Sequence, residues 1–446
     1  MEIVIIGAGN IGFQLAKRLS HDKHNITIIE SSSDRVRYAR EHLDAFVIDG
    51  SGTSYARLKE ARVQNADVFA ALTSNDEINL IACRLAKKLG VGTTIARIRN
   101  EEFMSSDSVL SREELGTDFL IQPEREAAGA IVRLIRQSNA TDIIEFDKGR
   151  IQFIGIRLDR NCPVLHTPLI ELGKRYENPP LRVVALSRRG FTIIPRGEDE
   201  LRHGDQIFII TDPGYIDEAL NFFGKTRKII ENILITGGGQ IGRFVAQRLE
   251  KELKIKIIEI NDDKSAALAD FLSKSLIIHG DGSDLDLLTF EGLQDMDGFI
   301  AVTGDDETNI ITSLVARHMK VPRTITLIGK NEYLALTPAI GMDAVVSKQQ
   351  ITVNTIQKYI RSQQIAFFAE LPGIDAEIIE FIAKEGMKII KKPLKDIEFP
   401  EYAIVGAVLK QDKNLEIPTG DTRIAPGDKV VVFTLPKALK AVEKLF

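Results

Sequence analysis

Two glycine triads carry the spacing most suited to chemistry in this chain. Gly7, Gly9 and Gly12 fall in IVIIGAGNIGFQLAKRL, and Gly237, Gly239 and Gly242 fall in ILITGGGQIGRFVAQRL. A Gly-x-Gly-x-x-Gly loop between a strand and a helix lets a pyrophosphate lie against backbone. The first glycine permits the tight turn, the second clears the phosphate's path, and the third lets the helix pack close. The amides at the helix N-terminus then favour the anion. Each loop is followed by an acid that ends the next apolar run, Glu30 and Glu259. A carboxylate there can accept hydrogen bonds from the ribose hydroxyls and repels a 2′-phosphate, which favours NAD over NADP.

Further residues at strand ends suit the same ligand. Asp49 ends the third apolar run and is placed to meet an adenosine or to cap its loop, and Asp281 repeats it. Thr73 and Ser74 end the fourth, with Thr303 as counterpart, where hydroxyls face the switch-point crevice. Arg97 and Arg99, in ARIRN, can reach phosphates or pair with Glu101 and Glu102 nearby. The second half reads TLIGK at that place, so both arginines are lost, and Asp305 and Asp306 crowd the Thr303 turn. Tighter or more charge-selective binding is therefore expected in the first half, with weak or structural occupancy in the second.

No catalytic constellation accompanies the loops. A dehydrogenase needs an acid–base group beside the nicotinamide and a domain to hold its substrate. The seven histidines are scattered; His279 could face a cofactor, but Ile48 stands at or beside its counterpart in the first half. No Ser-His-Asp order, metal-ligand spacing or Walker lysine occurs. The nucleotide thus reads as a signal rather than a reactant, with a small-substrate NAD-dependent oxidoreductase, or a nucleotide-sensing scaffold or nucleic-acid regulator, as alternatives.

The elements that hold these residues repeat along the chain. TIIE meets KIIE, DGSGT meets DGSDL, AALTSNDEIN meets IAVTGDDETN, and GTDFLIQP meets GMDAVVSK. The ends of the halves also match, LRVVALSRRGFTIIPRGEDELRHGDQIFIIT with YAIVGAVLKQDKNLEIPTGDTRIAPGDKVVVFT. Within each glycine-loop unit, strand-like runs (IVIIG, NITIIE, AFVID, VFAALT, TTIARI) alternate with amphipathic segments, the pattern of a parallel sheet covered on both faces. The turn-rich units that follow read as small α+β modules with a Gly-Asp hairpin signature. The expected class is α/β, two tandem Rossmann-type domains, each followed by a small α+β domain. The boundaries are 1–123, 140–225, 229–350 and 366–446, with joining helices at Ile131–Gln137 and Val353–Arg361.

Composition narrows the function class. At 446 residues the chain is too long for one core. A formal net charge of −5 argues against general affinity for nucleic acid. Two cysteines, Cys83 and Cys162, supply neither a disulfide framework nor a thiolate cluster, which fits a reducing cytoplasm. The longest apolar runs are strand-sized, and the start lacks the features of a signal peptide, so membrane business is expected to go through a partner.

Together GAGNIG with Glu30, ALTSNDEIN, ARIRN, their second-half counterparts and the IP-x-G…GD hairpins resemble the RCK (KTN) regulatory proteins of prokaryotic potassium transport, over essentially the whole chain. The resemblance implies RCK N and C domains in tandem, NAD(H) or ATP/ADP as regulatory ligands, and a homo-oligomeric ring, dimer to tetramer. It also implies a membrane partner of the TrkH/TrkG potassium channel or transporter type, and a cytoplasmic place beneath it. It carries nucleotide contacts onto Gly7, Ala8, Gly9, Asn10, Ile11, Gly12, Glu30, Asp49, Thr73, Ser74 and Arg97. In the second half it carries them onto Gly237, Gly239, Gln240, Ile241, Gly242, Glu259, Asp281 and Thr303. No catalytic or metal-binding residue is implied.

Overall fold

The computed structural model describes residues 1–21, 24–105, 108–146, 150–175, 180–225, 229–340, 342–360, 365–370, 376–412 and 414–446. Gly341 of the repeat and Arg361 of the second joining helix lie outside them. The chain forms two compact units. The first is Met1–Glu126 with Lys348–Ile360; the second is Ala127–Ser347 with Arg361–Phe446.

In the first unit the elements run β1 (Glu2–Ile6), α1 (Asn10–His21), β2 (Asn25–Glu30), α2 (Ser33–His42), β3 (Phe46–Asp49), α3 (Tyr55–Glu60), β4 (Val68–Ala71), α4 (Asp76–Lys88), β5 (Thr93–Arg97), α5 (Arg112–Leu115), β6 (Phe119–Ile121) and the start of α6 (Pro123–Arg136). The strands stand in the order β3-β2-β1-β4-β5-β6, all parallel. Successive side chains of a strand point to opposite faces, so a strand covered twice must be apolar throughout. β1 shows why: Ile3 and Ile5 join the core under α1 and α2, while Val4 and Ile6 join the core under α3 and α4. Five of these strands are legible in the sequence as apolar runs, and β6 is a sixth.

One face of this sheet is completed from far along the chain. The helix Lys348–Ile360, which joins the halves of the second repeat, packs on α1. Its Val353, Ile356 and Ile360 are buried with Leu15, Leu19 and Val36. Arg18 Nη1 donates to Asn354 Oδ1 at 2.7 Å, and Tyr359 stacks on Phe119 with ring centroids 3.8 Å apart. A helix that reads in the sequence only as a join between the two modules of the second half is therefore part of the first lobe's core.

The second unit repeats the sheet, with strands Asn232–Thr236, Lys254–Glu259, Leu276–His279, Gly298–Ala301, Arg323–Leu327 and Ala344–Val346 in the same relative order. The part of α6 beyond Glu126 belongs to this unit. Buried Arg323 donates to the carbonyls of Leu134 and Ala140 at 3.2 and 2.6 Å, and Arg136 pairs with Glu252 at 2.7 Å. Both small modules are five-stranded antiparallel sheets with accompanying helices. They share one core in which Phe153 stacks on Phe208 and Phe433 at 5.3 and 5.7 Å. No helix among the described residues is long and apolar enough to cross a membrane.

Candidate functional site

The loop after β1 is shaped by two glycines that nothing else can replace. Gly7 has φ +95°, and a Cβ on Gly12 would lie 2.0 Å from the Gly7 carbonyl oxygen. Gly9 is different: a Cβ there meets only Arg35 Nη1, at 3.7 Å. Its missing side chain serves the open space in front, as a phosphate site requires. α1 has no acid in its first turn, whereas α2 and α4 do. Its N-terminal amides thus remain without a carboxylate from their own helix.

In front of this loop lies a cleft of ≈ 370 Å³. Ligand pockets run from about 300 to 1,000 Å³, so it is of ligand size. Gly7, Gly9, Asn10, Ile11, Glu30, Thr73, Ser74 and Arg97 line it, as do Gly50, Ser51 and Gly52 after β3. Three lining residues are cations, Arg35, Arg97 and Lys348. Arg35 has no hydrogen-bond or ion-pair partner among the described residues, and the buried Nε of Arg97 lacks a hydrogen-bond partner. Burial pulls the Arg97 guanidinium below its ordinary range, partly offset by Glu124. An orphaned buried donor beside an open glycine loop fits an anionic ligand.

Other expected contacts fall elsewhere. Gly12 and Ala8 sit behind the loop; the Ala8 N–H donates to Glu30 Oε2 at 2.6 Å, and Ser31 and Ser32 N–H donate to Oε1 at 2.8 and 2.9 Å. Glu30 therefore braces the glycine loop as it stands at the cleft wall. Asp49 is exposed and does not line the cleft, because the chain turns at Gly50 and presents the next residues. Arg99 does not line it either. β5 ends at Arg97, and Asp76 Oδ2 takes the N–H groups of Arg99 and Asn100 at 2.9 and 2.8 Å, turning the chain away. The Thr73 hydroxyl donates inward to Asn79 Oδ1 at 2.7 Å, so it shapes the β4 turn rather than offering its proton to a ligand.

The second lobe copies the scaffold but not the charge. Gly237 has φ +104°, a Cβ on Gly242 would lie 2.1 Å from the Gly237 oxygen, and nothing lies within 4 Å of a Cβ on Gly239. Gln240 and Ile241 open the following helix, Gln240–Leu249. Glu259 accepts from Gly238 and Asn261 N–H at 2.7 and 2.9 Å, and Thr303 donates to Asn309 at 2.7 Å. Asp281 caps its own loop, accepting the Ser283 N–H and hydroxyl at 2.8 and 2.7 Å. The place of Arg97 is taken by buried Leu327. Asp306 is no extra repulsive charge: it accepts the Gly329 and Lys330 N–H at 2.8 and 2.7 Å, as Asp76 does in the first lobe. Asp305 replaces Asn75 as the helix cap, accepting Thr308 N–H at 2.7 Å. The acidic difference at this turn is thus one residue, not two.

Sequence reasoning missed Arg35, Lys348 and buried Asn79. The repeat held a signal for Asn79, since Asn309 stands at its counterpart; Lys348 carried none without knowledge of which lobe its helix covers.

Residues 3–123 and 233–348 match the TrkA-N domain, and 153–224 and 378–446 match the TrkA-C domain. The chain belongs to the TrkA family. Trk system potassium uptake protein TrkA of Azorhizobium caulinodans is 33% identical across all of this chain and 98% of its own length. Among solved structures, the GsuK channel bound to NAD covers all of this TrkA-family chain and 78% of its own, with TM-score 0.63 and 20% identity. GsuK bound to ADP covers 81% of this chain and 70% of its own, with TM-score 0.52 and 17% identity. At those identities the likeness to GsuK is one of fold.

Proposed function

We propose that this chain is the cytoplasmic nucleotide-sensing subunit of a potassium uptake system, gating a TrkH/TrkG-type membrane channel or transporter through a ring of Rossmann lobes. The observation that carries the reading is the first-lobe cleft, a glycine loop facing three cations, in a chain whose whole length follows the TrkA pattern. NAD(H) or ATP/ADP is the ligand class, bound more tightly in the first lobe, where Arg97 stands in place of Leu327. A ligand shifts a ring only by its difference in affinity between two ring shapes, and tenfold supplies about 1.4 kcal/mol. Several sites acting together reach the roughly 5.5 kcal/mol of a full switch.

Thermal melting tests the ligand class. NADH, NAD, ATP and ADP are compared with NADPH, whose 2′-phosphate meets Glu30. A ligand at about 100 times its Kd adds roughly 2.7 kcal/mol, so at least one of the first four should raise Tm well above NADPH. Identical melting curves with all five would refute the reading.

The ring reading is supported by a repeated surface. Ile81 on α4 is 52% exposed, and Ile311, its counterpart on Asp306–His318, is 60% exposed. The same apolar position on both lobes suits a contact that repeats into a closed ring. Ile81→Asp is expected to lower the native mass to a smaller assembly without changing far-UV circular dichroism; an unchanged mass would remove α4 from the contact.

A further inference from the structure

The carboxylate of Glu124 sits behind the first-lobe cleft, its side chain only 5% exposed. Its Oε1 accepts from Lys348 Nζ at 3.1 Å and lies 3.8 Å from Arg97 Nη2. Its Oε2 is buried and has no hydrogen-bond partner. Burial raises the Glu124 pKa, but the Lys348 ammonium, its hydrogen bond and Arg97 outweigh that and hold the carboxyl below its usual range. Two cations therefore share one carboxylate. Both line the cleft, and Glu124 does not.

The two partners in this ion pair come from different repeats. Lys348 is the first residue of the helix that packs on α1, and Glu124 is the second residue of α6. From Ala127 onward α6 belongs to the second unit. The first repeat has Pro123 where the second has Lys348, so the lysine has no counterpart by duplication.

We propose that Lys348 is a phosphate-reading residue that exchanges Glu124 for the terminal phosphate of a nucleoside polyphosphate or for the pyrophosphate of a dinucleotide. The inference rests on the nucleotide reading of the same cleft. A phosphate offers more charge and more acceptor oxygens than the carboxylate, and it reaches both cations from the open side. The exchange leaves Glu124 without its ammonium in the first turn of α6, the segment that leads out of the first unit. Phosphate occupancy is thereby written onto α6.

The test is calorimetric binding of ADP and of adenosine to the full chain, as wild type, Lys348→Gln, Lys348→Arg and Glu124→Gln. Lys348→Gln should weaken ADP about tenfold or more while leaving adenosine unchanged. Lys348→Arg should restore most of the ADP affinity, which a purely structural role would not. Glu124→Gln, which removes the competitor, should tighten ADP. Hydrogen exchange should rise in the first turns of α6 when ADP is added to wild type, and already be raised in Lys348→Gln without ligand. Equal losses for ADP and adenosine, or wild-type ADP affinity in Lys348→Gln, would overturn the phosphate role. Unchanged α6 exchange would overturn the coupling. ADP binding by wild type with no Lys348 effect would sink this inference alone; binding of neither ADP, ATP nor NADH would sink the nucleotide reading with it.

Discussion

Gly9→Asp is expected to abolish nucleotide binding in the first lobe while leaving that lobe folded. Most positions in a phosphate loop confound the two effects. Gly12 is an example: any side chain there drives into the Gly7 carbonyl, so loss of binding would report only loss of the loop. Gly9 separates them, because a Cβ meets nothing closer than Arg35 Nη1 at 3.7 Å. The new carboxylate occupies the phosphate's path, repels it, and takes Arg35 as its own partner. Loss of one charge-assisted contact is worth about 1.5–3 kcal/mol, and here a contact is replaced by a repulsion, so affinity should fall at least about 100-fold. Titration calorimetry with ADP and a melting curve on the same sample check both halves. Undiminished affinity would place the ligand elsewhere.

Ile356→Ala should destabilise the first lobe, although the residue lies in the second repeat. Ile356 is fully buried in the core beneath α1, with Val353 and Ile360 on either side. Truncating a buried isoleucine to alanine costs about 2–5 kcal/mol, through lost burial and the cavity left behind. Hydrogen exchange should show lost protection in α1 and in β1, with the strands of the second lobe less affected. A loss confined to the second lobe would contradict the packing of Lys348–Ile360 on α1. The same packing makes a fragment lacking residues 348–360 a poor carrier of the site, since it would expose Leu15 and Leu19 and lack Lys348.

Much of this was legible in the residues. β1 reads IVII because both its faces are buried, and the glycine spacing encodes one positive φ, at Gly7, and one close approach, of Gly12 to the Gly7 carbonyl. The duplication is visible because the same steric demands recur at Gly237 and Gly242. What escaped the reading depends on tertiary choice. Arg35 looks like one more exposed charge on the polar face of SDRVRYAREH, and only the fold brings it over Gly9. Lys348 falls within 229–350 in the sequence and so reads as part of the second lobe, because helical periodicity says that a face is buried and not against what. Arg99 was expected beside Arg97, but the backbone bonds to Asp76 end that regularity. Asp306 looked like added repulsion because its backbone partners, Gly329 and Lys330, are distant in sequence.

If Arg35, Arg97 and Lys348 make the first glycine loop the sensing site, a chain with two near-identical loops holds one tight site. Counting bound ADP per chain, by calorimetry on wild type, Gly9→Asp and Gly239→Asp, tests it most directly. Both glycines face open space, so both substitutions leave the fold in place. The expected result is one tight site per chain, lost in Gly9→Asp and retained in Gly239→Asp. Two tight sites of equal affinity, or a tight site lost in Gly239→Asp and kept in Gly9→Asp, would contradict it.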